Sequence, residues 1–200
     1  MTGALSFVAT YTIEGWRRGG YRARSMFISE LSLGPQGWIQ VLNFVTAGAL
    51  VFVFVFGRGL AAHLSMTGTA GVGPVLVQVI GLSLLASGPF RTDPSAMFDQ
   101  ISTYGRIHGL FGAVVFSLAP VSCFALRRRF RSDPAWGAMT SWSGVVGVVT
   151  SVGVGVLKVS QLPGTGLFQW RGLIQRAVLT TYLGWLFFCA ARLREHTARR

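Results

Sequence analysis

Apolar residues fall in six blocks along this chain, at 1–13, 38–56, 72–90, 107–126, 138–157 and 173–191. Polar or glycine-rich connections separate them, and none of the blocks alternates apolar with polar as a half-buried strand would. The last five each exceed the roughly 18 apolar residues that mark a membrane-crossing helix. The first is shorter: at 1.5 Å per residue it reaches about 20 Å, against about 30 Å of hydrocarbon. It lacks the cationic start and cleavage site of a signal peptide, so it reads as the C-terminal part of a first span: either the helix is locally incomplete or the natural start lies upstream of Met1. The pattern predicts an all-α integral membrane bundle of six transmembrane helices, the first short or incomplete. A single transmembrane domain covers residues 1–200, because no connection is long enough to hold a second fold.

The block edges carry their own punctuation. Leu33 to Gly37 is a turn, and Trp38 is an interfacial anchor. Pro94 bars Asp93 from a helical conformation, so the third helix stops before it. Pro120 predicts a kink in the fourth span. Arg127, Arg128, Arg129 and Arg131 end that span, and Asp133-Pro134 opens the next turn. Small residues recur every four positions in the fourth span (Gly105, Gly109, Ala113, Ser117) and in the fifth (Ser143, Gly147, Ser151, Gly155). Such stripes let helix backbones approach in lipid, which predicts that the fourth and fifth helices are tight antiparallel neighbours.

Composition changes the picture in one respect. Only 12% of the 200 residues are charged, half the proportion of a soluble domain, yet 18 Lys and Arg against six Asp and Glu leave a net charge of +12. The cations sit at the ends of apolar blocks, which suits lipid headgroups and topology rather than nucleic acid. The densest clusters, 127–131 and 192–200, fall on one side together with the amino terminus. The positive-inside rule then puts both termini in the cytoplasm of a multi-pass cell-membrane protein, although the cations at the two ends nearly balance. Cys123 and Cys189 lie inside apolar blocks as small hydrophobes, and no disulfide framework, metal motif or cofactor fingerprint is present.

The same topology collects the uncommon polar residues at the opposite end. Glu30, Gln40, Asn43, Asp93, Asp99, Arg106, His108, Lys158, Gln161, Arg171, Gln175 and Arg176 all belong to that face, while the other face is plainly cationic. Of these, Glu30, Gln40, Asn43, Asp93, Asp99, Arg106, His108, Gln175 and Arg176 are the candidate ligand-binding set. Arg176 lies a turn or two inside the sixth span, where an unpaired charge is costly, so Glu30 or Asp93 is its expected partner. His63 and His196 belong to the other end, which disfavours a three-histidine metal site.

Four stretches taken in order resemble a known family: the run from Ser29-Glu30-Leu31 through Gly34-Pro35, Gly37-Trp38 and Gln40 to Asn43-Phe44; Gly88 and Phe90 with Asp93-Pro94; Gly105 with His108-Gly109; and Gly172-Leu173 with Gln175-Arg176. Together they resemble the prokaryotic multi-span membrane family catalogued as domain of unknown function 998, over about residues 5 to 192. The resemblance implies a six-helix membrane protein and no assigned activity.

Three function classes fit these features. The first is binding of a lipid headgroup or small anion at the polar face, with membrane lipids as partners. No repeat of one half in the other and no pair of broken spans points to transport. The second is a membrane enzyme on a lipid or isoprenoid substrate, with His108 as acid or base, Asp93 orienting it and Glu30 as a second carboxylate. The third is an accessory subunit, its small-residue stripes packed against a homo-oligomer or a partner chain.

Overall fold

The computed structural model describes residues 2–55, 60, 71–95, 100–162 and 164–198. Six α-helices are described: α1 (Thr2–Arg17), α2 (Gly37–Val55), α3 (Val72–Ser87), α4 (Thr103–Phe130), α5 (Gly137–Ser160) and α6 (Arg171–Ala198). Short 3-10 turns lie at Ile28–Ser32, Pro134–Trp136 and Phe168–Trp170, and no strand occurs among the described residues. Helices α2, α4, α5 and α6 are long and apolar enough to cross a membrane, and α3 is a shorter apolar helix. The protein is an all-α membrane bundle. Valines 145, 148, 149 and 152 stand about half exposed along α5. In water such a ridge would be a liability, but against hydrocarbon it costs nothing.

Several helices outrun the apolar blocks. Helices α4 and α6 have 28 residues each, or about 42 Å. That exceeds the roughly 30 Å of hydrocarbon, so their polar ends continue as helix beyond it. Helix α1 extends past Ile13 to Arg17 because Glu14, which ends the apolar pattern, is buried and bonded to Arg18 at 3.2 Å. Helix α4 also runs unbroken through Pro120.

Neighbours along the chain pack antiparallel. Gly3 of α1 faces Leu50 of α2, Gly73 of α3 faces Leu126 of α4, and Phe130 stacks on Trp136 at 4.6 Å to close the turn into α5. This brings the C-terminal ends of α1, α3 and α5 to the same end of the bundle as the N-terminal ends of α2, α4 and α6. We call it the polar end, and the opposite one, with Arg127 to Arg131, the basic end.

The closest helix approach lies elsewhere than the small-residue stripes predict. It joins α2 to α3, where a Cβ on Gly48 would strike the backbone of Gly81 and Leu85, and one on Gly81 would lie 2.8 Å from Phe52 N. Helices α4 and α5 are neighbours, but they close only toward the basic end, where the Phe124 ring covers Gly147. Gly109, Gly112 and Gly155 have nothing within 4 Å of an added Cβ. Ser143 turns instead to α6, accepting from Trp185 Nε1 at 3.0 Å. Gly105 has a different occupant altogether, the carboxylate of Asp93. Four-residue spacing puts small residues on one stripe of a helix, but the neighbour that stripe meets depends on how each helix is rotated about its axis.

The bundle interior is tied by a few polar contacts that the sequence reading missed, most of them from α6. Tyr182 meets Ser122 of α4 at 3.0 Å, and Thr180 meets Tyr11 of α1 at 2.6 Å. With water excluded, each such group must find a protein partner.

Candidate functional site

At the polar end the segment from Arg18 to Gln36 folds over the helix ends and is riveted there by arginines. Arg18 donates to the carbonyls of Leu31 at 2.5 Å, Leu33 at 3.1 Å and Gln36 at 3.1 Å. Gly34, at φ +72°, permits the turn they surround. Arg176 donates to the carbonyls of Ala23 at 2.8 Å, Met26 at 3.0 Å and Gly172 at 2.9 Å, and to the Tyr21 hydroxyl. Burial pushes the Tyr21 phenol above its usual range, and the neighbouring Arg176 opposes that shift. The first turn of α6 reaches the same segment. The amides of Gly172 and Leu173 bond to Arg24 O at 2.9 and 3.2 Å, and Ile28 N donates to Gln175 Oε1 at 2.8 Å. Orphan amides of a helix start are thus satisfied by a distant loop.

Among the described residues Arg176 therefore has no carboxylate partner; carbonyl dipoles and the Tyr11 and Tyr21 rings, at 5.8 and 5.5 Å, surround its charge. Glu30 serves Arg171 instead, through a serine. Glu30 Oε2 accepts from Ser95 N and Oγ at 3.0 Å, Ser95 Oγ accepts from Arg171 at 2.7 Å, and Glu30 Oε1 accepts from Phe27 N at 2.8 Å. Arg171 also donates to Ser25 O at 2.8 Å and lies 4.0 Å from the Phe168 ring centroid. Both ions are buried, and the hydrogen bonds around them offset the cost of their burial.

Asp93 and His108 do not meet either. Asp93 Oδ2 accepts from Ser102 N at 2.8 Å, and Ser102 caps α4 through Gly105 N at 3.0 Å. The carboxylate lies over Gly105, where any side chain would collide with it, so Asp93 holds the start of α4. His108 Nδ1 lies 2.7 Å from Phe90 O and 3.1 Å from Ser87 O. Carbonyls only accept, so Nδ1 carries a proton, and the lone pair of the neutral ring is on Nε2. Gln40 and Asn43 are also outside the site. They bond to each other at 3.3 Å, and Asn43 ties α2 to Phe7 O of α1 at 3.1 Å. Arg106 is exposed. Asp99, His63 and the side chain of His196 lie outside the described residues.

What remains is a cavity of about 220 Å³ between the polar-end halves of α4 and α5, backed by α6. His108, Gln175, Lys158, Gln161, Thr92 and Ser29 give it a polar rim, while Phe44, Leu84, Phe116, Leu157 and Leu179 form apolar walls. Gly109 and Gly112 line one side, and their missing side chains are part of the space. Of the eight candidate ligand residues that are described, His108 and Gln175 reach it. Lys158 and Gln161 were legible as members of the polar face and Ser29 as part of the family-like run, whereas Thr92 carried no signal of its own. Among the described residues no three His, Cys, Asp or Glu side chains converge as a metal ion would require.

The family described as Protein of unknown function (DUF998) matches residues 1–192. The chain belongs to this family. No curated protein and no solved structure matches it. DUF998 membership covers nearly the whole bundle, from α1 into the last turns of α6, and brings no activity with it.

Proposed function

We propose that this DUF998 membrane protein binds the headgroup of an anionic lipid in the polar-end cavity, with the lipid chain lying in the open seam between α4 and α5. One observation carries the reading: a cavity with the ammonium of Lys158 at its rim and apolar walls below, in a helix pair that closes only at its other end. A headgroup oxyanion meets Lys158 and the side-chain amides of Gln161 and Gln175, the latter oriented by Ile28 N on its Oε1. The hydrocarbon follows Phe116 and Leu157 downward.

The test is mass spectrometry of lipids retained by the protein after release from mixed phosphatidylglycerol and phosphatidylcholine vesicles. Phosphatidylglycerol is retained preferentially, and Lys158→Met lowers its retention about fivefold, as loss of one interfacial cation should. Equal retention of the two lipids overturns the proposal. Displacement of the lipid by inorganic phosphate would assign the same rim to a small soluble anion.

A second reading, an enzyme acting on a lipid or isoprenoid, rests on His108 alone. Its tautomer is set by two carbonyls, which leaves Nε2 available as a base. Glu30 and Asp93 are committed elsewhere, so such an enzyme would work without the carboxylates.

A further inference from the structure

The basic end of the α4–α5 seam carries a second groove, separate from the polar-end cavity. Its volume is about 490 Å³, and its lining includes Arg127, Ser141, Gly144, Val145, Val148 and Val149. Arg127 lies flat against Gly144: an added Cβ there would sit 2.9 Å from Nε and 3.2 Å from Cζ. The absence of a side chain at 144 is what lets the guanidinium lie in the seam. Arg18, Arg171 and Arg176 donate to carbonyls or hydroxyls, whereas the Arg127 side chain forms no hydrogen bond or ion pair among the described residues; its Nε, like that of Arg18, is buried without an acceptor. A guanidinium without an acceptor is costly in the free protein, and an oxyanion in the groove supplies one at its terminal nitrogens, which, unlike Nε, are not buried. Ser141 supplies a further donor beside it. Below them Val145, Val148, Val149 and Val152 stand 54%, 55%, 49% and 62% exposed, a greasy ridge leading away from the charge. From Gly144 to Val152 it runs about 12 Å along the helix, enough to hold several methylenes.

We infer that this groove is a site for an anionic phospholipid of the leaflet at the basic end, with its phosphate on Arg127 and Ser141 and an acyl chain along the α5 valine ridge. The flanking Arg128, Arg129 and Arg131 raise the local concentration of anionic lipid, while Arg127 supplies the specific contact. Planar bidentate geometry suits a phosphate, and lysine would not replace it. The inference is independent of the polar-end reading, because the two sites share no residue.

The experiment uses the whole chain with Gly112→Leu as background, which occupies the polar-end cavity and leaves the basic end untouched. Protein is equilibrated with vesicles of equal phosphatidylglycerol and phosphatidylcholine, and retained lipid is counted by native mass spectrometry. The background protein keeps one phosphatidylglycerol, and adding Arg127→Gln lowers that retention about tenfold, the loss of one charge-assisted contact. Val148→Trp is the second variant. It blocks the chain path from an exposed position and leaves Arg127 in place, and it lowers retention by a similar factor. Unchanged retention in both variants overturns the site. So does displacement of the lipid by inorganic phosphate with Val148→Trp binding as before, since the occupant is then a soluble anion.

Discussion

Between α2 and α3, glycines 48 and 81 are filled by the neighbouring backbone, whereas between α4 and α5, glycines 109 and 112 line a cavity and have nothing within 4 Å. One pair uses the missing side chain to bring two helices together. The other uses it to hold space open between them. Gly147 stands between these extremes, in the α4–α5 seam but covered by the Phe124 ring at 2.8 Å. The difference shows that glycine in a membrane helix reports a need for volume; whether helix or ligand takes that volume is decided by the partner face.

Substitution separates the two uses. Gly48→Leu carries the largest effect, because its side chain meets the backbone of α3, which cannot rotate away. It costs about 3 kcal/mol or more, and size-exclusion chromatography in detergent should recover little monodisperse protein. Gly147→Leu is next, at about 1–3 kcal/mol, since a ring can shift where a backbone cannot; detergent melting would show a lowered but measurable midpoint. An unchanged midpoint would mean that Phe124 does not hold the seam. Gly112→Leu is the smallest for stability, within about 0.5 kcal/mol as for other open positions. It should nevertheless abolish lipid retention at the polar end. A large drop in its melting midpoint would show that the open seam is occupied by protein, and would break the contrast with α2–α3.

The polar end offers a second lesson about legibility. Counting spans put Glu30, Asp93, His108, Gln175 and Arg176 at one end of the bundle, and they lie there. Which of them pair did not follow. Arg176 had two carboxylates within plausible reach, yet it bonds to Ala23 O and Met26 O, while Glu30 reaches Arg171 through Ser95. Sequence distance gives no hint of this, because Ser95 and Arg171 are 76 residues apart. The prediction failed for a general reason: a loop folded over helix ends presents many carbonyls, and an arginine deep in a span meets these before any carboxylate.

The sequence by itself determined the class of protein, the number and rough position of the helices and the end at which the rare polar residues collect. Those follow from block length and charge placement, which are properties of the chain read in one dimension. Only the tertiary structure decided that Asp93 holds Ser102, the cap of α4, that Gln40 and Asn43 tie α2 to α1, and that Lys158 and Gln161 share a cavity with His108. Rotation of each helix about its own axis selects which residues face one another. A few tens of degrees of that rotation exchange a lipid-facing side chain for one that lines a site, and hydropathy along the chain does not encode it when both surroundings are apolar.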